Sequence, residues 1–493
     1  YPREHLRALW QTLLFNQFHD ILAGTSIPSA IRDAIEALGG VIQGAETVLN
    51  AAIRQLAGTV APAPDRTDVA FLVFNLTGAS QSVPVEYEPW LTWQSREARH
   101  LLDDSGREVP YQDLHPECYA NGVRRILFTP DVPPYGYRLF RFALGTPSAV
   151  PSPAPRVTET VLENGRWHIA IDGATGGIAR LEDRQTGNTL LSGTAHLAMA
   201  VDDPTDTWSH GVDRFGLSGQ IAVCERVEVI ERGPLRVAVR VHTRIGESTI
   251  SSTYLLHADA AQPIEIRVRI DWRGKRRLLR LCYPLALAAP AFRYEVPYGS
   301  VERPADGREW PGQRWVLVTS AQDGYGVALA NDAKYSYAAD GGTLYLTVLR
   351  SPVLAHHDPY ALAPDGVYPY ADQGEQCFTI RLCAGPAVGA RDAYLLAEAL
   401  HRPPVVTPHV ARGGQGPWQA GLFAVEAQST VLGWLKMAED GDELVARLLE
   451  VAGVPDSVTL PGSADRRPIG AYSLITLRGD PRAGWRVSDG LEG

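Results

Sequence analysis

The sequence predicts a mainly β protein that opens with a short helical segment. Apolar residues recur at helical spacing as far as about residue 56, and the period changes to two near Val69. Beyond that point, short runs rich in Val, Ile, Leu, Tyr and Phe are bounded by Gly, Pro, Asn and Asp, with a turn about every ten residues, the signal of β-sandwich architecture. Nowhere do strands alternate with helices as a complete α/β barrel requires. At 493 residues the chain is too long for one domain, and three or four are expected.

The first helix is expected from Glu4 to Leu22, where Leu6, Leu9, Trp10, Leu13, Gln17 and Ile21 fall near one face. Gly24 ends it as a glycine C-cap, and Thr25 or Ser26 caps a second helix with Pro28 in its first turn. That helix runs from about Ser29 to Leu56, with Gly39-Gly40 expected to kink or split it. The segment Ala61-Pro62-Ala63-Pro64-Asp65 reads as a linker. Strands follow at Val69 to Asn75, Arg236 to Ile245, Ile264 to Trp272, Tyr325 to Leu329 and Thr343 to Leu349. A Pro-rich joint at 146–155 separates a small β unit from a large one. A short helix from Arg391 to Leu400 precedes the joint at Pro403-Pro404. The expected division is helical 1–60, a small β-sandwich 66–145, a large β-sandwich 156–400 and a C-terminal β domain 405–493.

Composition narrows the function. Apolar residues make up 45% and charged residues 21%, ordinary values for a globular chain. The formal net charge of -10 argues against nucleic acid as a partner, and the cluster Arg273-Gly274-Lys275-Arg276-Arg277 reads as a solvated turn. Five irregularly spaced cysteines with no CxxC pair argue against a disulfide framework and for a reducing, cytoplasmic setting. No apolar stretch of about 20 residues is present to span a bilayer, so no membrane partner is expected. The opening Tyr1-Pro2-Arg3-Glu4 runs straight into a helical pattern and reads as a cut inside a longer protein.

The candidate chemistry lies in Asn16-Gln17-Phe18-His19-Asp20-Ile21-Leu22-Ala23-Gly24-Thr25. On a continuous helix His19 would face away from the apolar stripe. An imidazole is a common zinc ligand, and an adjacent carboxylate can accept hydrogen bonds from sugar hydroxyls. A His-Asp pair near a helix C-terminus is also an ordinary capping or dipole-compensating arrangement.

The stretch from Leu9 to Ile27 resembles the middle helical domain of glycoside hydrolase family 38, the class II α-mannosidases, with Ala23 where many relatives have Pro. Phe71-Leu72-Val73-Phe74-Asn75 is similar to the opening strand of that family's first β domain. Asp206-Thr207-Trp208-Ser209-His210-Gly211, Asn331-Asp332-Ala333-Lys334-Tyr335, Leu349-Arg350-Ser351-Pro352 and Ala371-Asp372-Gln373-Gly374-Glu375 resemble a bacterial subgroup. The resemblance covers nearly the whole chain. It implies a helical middle domain, a small β-sandwich, a large mutarotase-like β-supersandwich and a small C-terminal β domain. The implied activity is zinc-dependent, retaining exo-hydrolysis of terminal α-mannosides, with a mannose-containing oligosaccharide or mannoside as partner and homo-oligomers formed through the β domains. His19 matches a zinc ligand and Asp20 the neighbour that contacts substrate hydroxyls; Arg350 and Asp372 are candidates for a substrate or domain contact. The remaining zinc ligands, an HxD pair and the carboxylate nucleophile belong to an N-terminal barrel with no counterpart in this sequence, so no catalytic nucleophile is assigned here. His257-Ala258-Asp259 fits HxD by letters but reads as a turn, and His356-His357-Asp358 reads as a solvated loop.

Three functions compete at this stage. One is the C-terminal part of a mannosidase, inactive alone. The second is a non-catalytic carbohydrate-binding or structural β-sandwich protein derived from the family. The third is an enzyme of another class, a lyase or mutarotase-like activity on the large sandwich, which would need acid and base residues clustered on one sheet face.

Overall fold

The computed structural model describes residues 1–65, 68–89, 98–119, 124–147, 153–410, 412–459, 466–480 and 484–490. It begins with α1 (Arg3–Phe15), a one-turn α2 (His19–Leu22) and α3 (Pro28–Ala57). The single helix expected from Glu4 to Leu22 is broken at residues 16–18. The Asn16 side-chain amide donates to the Thr12 carbonyl at 2.9 Å, beside the Asn16 N–H at 3.2 Å, and the next bonds tighten to i→i−3, Gln17 N–H to Leu14 and Phe18 N–H to Phe15, as α1 ends. Phe18 is extended, with φ -53° and ψ 140°, so His19 starts a new turn rather than continuing the old one. Its bearing relative to Leu13 is therefore not that of a straight helix. Gly24, at φ 73°, closes α2 as expected. Thr25 does not cap α3; that N-cap is Ile27, with Pro28 at the first helical position. Gly39-Gly40 does not split α3, which is one α-helix of 30 residues.

Leu6, Leu9 and Leu13 are half-buried between α1 and α3. The helices approach closely at Gly44, where an added Cβ would stand 2.7 Å from Leu9. The C-terminal turns of α3 bury Ile53 and Ala57 against Ala70, Leu72 and Phe74 of the strand Val69–Asn75. The opposite face of that strand supplies Phe71 and Val73 to a core with Leu101, Ile126, Phe128, Phe140 and Phe142. Burial on both faces explains why Val69 to Asn75 reads as a continuous apolar run rather than an alternating one.

This strand is central to a six-stranded sheet, with Gly136–Leu144 on one side and Val405–Pro408 on the other; Gln419–Ala420 also pairs with Gly136–Leu144. The segment 405–420 thus returns to the first sandwich instead of joining a C-terminal unit, because Val405, Val406 and Trp418 find their apolar partners there. A three-stranded sheet, Val85–Tyr87, Arg125–Phe128 and Tyr111–Leu114, forms the other layer. Of the joint at 146–155, residues 148–152 lie outside the described residues.

The large β region stacks a nine-stranded sheet on sheets of six and five strands around one core that includes Trp167, Tyr254, Trp272, Tyr283, Phe292 and Tyr337. Every named ladder is antiparallel. α4 (Ala390–His401) lays Ala390, Ala393 and Ala397 on the outer face of the nine-stranded sheet, over Trp315, Leu317, Ala328 and Ala330. A four-stranded sheet and a two-stranded ribbon complete the chain. No helix among the described residues is long and apolar enough to cross a membrane. The five cysteines are unpaired.

Candidate functional site

His19 and Asp20 sit on α2, between the break after α1 and the left-handed Gly24. The turn is closed on itself: the Thr25 hydroxyl donates to Asp20 Oδ1 at 2.8 Å, and the Thr25 N–H donates to the Asp20 carbonyl at 2.9 Å. Thr25 therefore orients the carboxylate, a use of that residue which capping rules miss. The His19 side chain is 79% exposed, its ring 4.3 Å from that of Phe18 and its Nε2 3.5 Å from Asp20 Oδ2. Around it, Trp10, Leu14, Phe15, Phe18, Leu22 and Ile27 are exposed large apolar side chains. The donor set fits zinc as part of a site: one unburied imidazole with a carboxylate beside it, to which other ligands must be added.

Arg350 and Asp372 come together within the large β region. The Arg350 N–H donates to Asp372 Oδ2 at 3.2 Å. Its guanidinium turns to the loop after Leu197–Asp202: Nε donates to Asp203 Oδ2 at 2.9 Å, and Nη2 to Thr205 Oγ1 at 2.7 Å and the Asp206 carbonyl at 3.2 Å. Nη1 donates to the Thr207 carbonyl at 3.4 Å, and the cation lies 5.3 Å over the Phe215 ring. Removal from water raises the Asp372 carboxyl above its ordinary value, against the opposing pull of the Arg350 N–H and the Lys334 and Arg350 charges. Burial likewise lowers the Lys334 ammonium, with Asp372 and Asp332 opposing.

The loop that Arg350 holds carries a second constellation. Asp206 has a fully buried side chain; Oδ1 accepts the His210 N–H at 3.0 Å, and Oδ2 accepts the Asp358 N–H at 3.1 Å and faces His210 Nδ1 at 2.5 Å. Burial alone would raise its carboxyl, but these donors outweigh burial and bring it to about 2. Thr207 pairs with the neighbouring segment, donating its hydroxyl to the Val353 carbonyl at 2.7 Å and receiving the His356 N–H at 3.0 Å. His357 thereby reaches His210, with ring centroids 4.6 Å apart. The Asp-x-x-x-His spacing of Asp206 and His210 was the local signal available; the approach of His357 is tertiary and had none. His257, buried at the end of Ser248–His257, leads into a turn as expected.

Residues 1–56 match the sequence profile of the alpha mannosidase middle domain, and residues 162–360 that of the glycosyl hydrolases family 38 C-terminal domain. The chain belongs to glycosyl hydrolase family 38 and carries the middle and C-terminal domains of that family. Alpha-mannosidase G of Dictyostelium discoideum is 22% identical over 96% of this chain, and human alpha-mannosidase 2C1 is 25% identical over 92%. The matches take up 45% and 41% of those two proteins, so the chain spans less than half the length of these curated relatives. In structure it is similar to an alpha-mannosidase from Enterococcus faecalis V583, with a TM-score of 0.79 and 16% identity, over 97% of this chain and 64% of the other.

Proposed function

We propose that this chain is the middle and C-terminal part of a zinc-dependent, retaining exo-α-mannosidase acting on terminal α-mannosides, and that it is inactive alone. The observation that carries this is α2: His19 stands exposed beside an Asp20 held by Thr25, on a hairpin that presents large apolar side chains outward. In this reading a preceding barrel domain covers the hairpin and supplies the nucleophile and the other zinc ligands. His19 would hold the metal through a ring nitrogen, and Asp20 would accept hydrogen bonds from mannose hydroxyls, charge-assisted bonds that can strengthen as the ring distorts. Bound zinc would supply electrostatic stabilisation of the sugar's transition state. Arg350 acts by holding the loop at 203–207, and Asp372 stands behind it, rather than either gripping substrate. The four-part division proposed from sequence is kept, with 405–420 moved to the small sandwich. A cytoplasmic location is part of the proposal, supported by the five unpaired cysteines.

The test has two arms. The 493-residue chain with added zinc should show no turnover of an aryl α-mannoside; robust zinc-dependent turnover would place the machinery elsewhere. In a protein that also contains the barrel, His19→Ala should lower zinc content and activity together, while Asp20→Ala keeps zinc and loses activity. If His19→Ala kept stoichiometric zinc and normal turnover, the pair would be merely the finish of a helix.

A further inference from the structure

The trio at the Arg350 loop is not used by the function proposed above. Asp206, His210 and His357 each offer a ligand atom within 4.8 Å of the others, and they are the one such group of three among the described residues. We propose that these residues form a site for a divalent transition metal.

Three features favour a site over a chance cluster. First, the carboxylate is fixed before any metal arrives: Asp206 is fully buried and held by two backbone N–H groups from different segments. A ligand anchored this way loses little entropy on binding. Second, the imidazoles lie on the open side of that anchor; the His210 side chain is 47% exposed and His357 is also exposed, so a hydrated ion can reach them. Third, His357 is already oriented. Its Nδ1 lies 2.5 Å from the Asp358 carbonyl, which keeps the ring proton on that nitrogen and leaves Nε2 as the lone-pair donor. This is the outer-shell pattern that prepares a metal-binding histidine. Both segments are stapled by Thr207 and by Arg350, so the two histidines keep their approach.

Asp206 Oδ2 and His210 Nδ1 lie 2.5 Å apart, hydrogen-bonded to each other. A tetrahedral zinc ion with bonds of about 2.0–2.1 Å needs its ligand atoms roughly 3.3 Å apart. The half-exposed His210 ring opens by that small amount as the metal takes the proton's place between the two atoms, and its ring proton moves to Nε2. Two imidazoles and one carboxylate form a donor set suited to zinc and its neighbours, and they leave a coordination position for water or another oxygen donor.

The experiment uses the whole 493-residue chain, stripped with a chelator, then titrated with zinc by calorimetry and with cobalt by visible absorption. One equivalent should bind, the cobalt spectrum showing the intense d–d bands of a four- or five-coordinate site. His357→Ala is the cleanest variant because the ring is exposed: it should weaken binding at least ten-fold while leaving thermal unfolding in chelator unchanged. His210→Ala should do the same, and Asp206→Asn, checked for folding by circular dichroism, should weaken binding as well. His19→Ala should leave this affinity unaltered. The proposal is overturned by a failure to bind one equivalent at micromolar metal, by wild-type affinity in His357→Ala, or by loss of binding in His19→Ala.

Discussion

Arg350 gathers one loop of the large β region around its guanidinium. Its position in Leu349-Arg350-Ser351-Pro352 suggests a substrate or domain contact, and within the chain its guanidinium spends its donors on Asp203, Thr205, Asp206 and Thr207. Asp203 is fully buried, and Arg350 is only 24% exposed. Removing the cation leaves a buried carboxylate without its charged partner, a change that costs about 2–4 kcal/mol. Arg350→Ala should therefore lower the unfolding free energy by that amount, read as a lower urea midpoint at an unchanged unfolding slope. Arg350→Lys should recover only part of it, since an ammonium cannot serve the same spread of acceptors. A fully stable Arg350→Ala would show that the loop holds itself and would return Arg350 to the substrate reading.

At the scale of elements, legibility followed how local the cause was. Val69–Asn75, Arg236–Ile245 and Ile264–Trp272 match the sequence reading residue for residue, because long apolar runs ended by turn residues have few other ways to be buried. The helix expected from Glu4 to Leu22 ends at Asn16, where the backbone bonds tighten to i→i−3 before Phe18 turns extended. The roles proposed for His19 and Asp20 rest on resemblance, since spacing alone does not tell a ligand pair from a cap. The trio of Asp206, His210 and His357 depends on two loops meeting in the folded chain. Gly39-Gly40 was misread because glycine lowers helix propensity without forbidding the helix. An added Cβ at either position meets nothing within 4 Å, and neither has a positive φ. Gly39→Ala and Gly40→Ala should each stabilise the helix by about 0.5–1 kcal/mol, seen as a rise in thermal midpoint. Gly44→Ala should give no such gain, because its Cβ would press on Leu9. If the first two substitutions destabilised the chain, the glycines would be meeting a packing need that the hairpin does not show.

Across the whole molecule, charged and polar side chains tie the small sandwich to the large sheet. Glu86, on Val85–Tyr87, receives Arg236 Nη1 at 2.8 Å and Arg267 Nη2 at 3.0 Å from the nine-stranded sheet, and Arg125 Nη2 at 2.8 Å from its own sandwich. Gln112 accepts the backbone N–H groups of Leu235 and Arg236 at 2.9 and 2.8 Å, and Gln262 donates to the Ser82 carbonyl at 2.8 Å. Burial pushes the Glu86 carboxyl up, but the two facing guanidinium groups of Arg236 and Arg267 outweigh it and hold it at about 2, against an ordinary value of 4.5. The sign of the linkage follows. Above pH 4.5 the carboxylate is ionised in both folded and unfolded chains, and its stabilisation is complete. As pH falls from there toward 2 the unfolded chain takes up the proton first, so stability drains away across that window, by up to about 3 kcal/mol for this group. Glu86→Gln should therefore be less stable than the wild type at pH 7 and should converge on it as pH falls from 4.5 to 2. Urea midpoints of the two proteins at pH 7, 5, 4 and 3 measure this directly. A gap that stayed constant over the series would mean that Glu86 contributes through shape and hydrogen bonding alone, and that its charge does not join the two sandwiches.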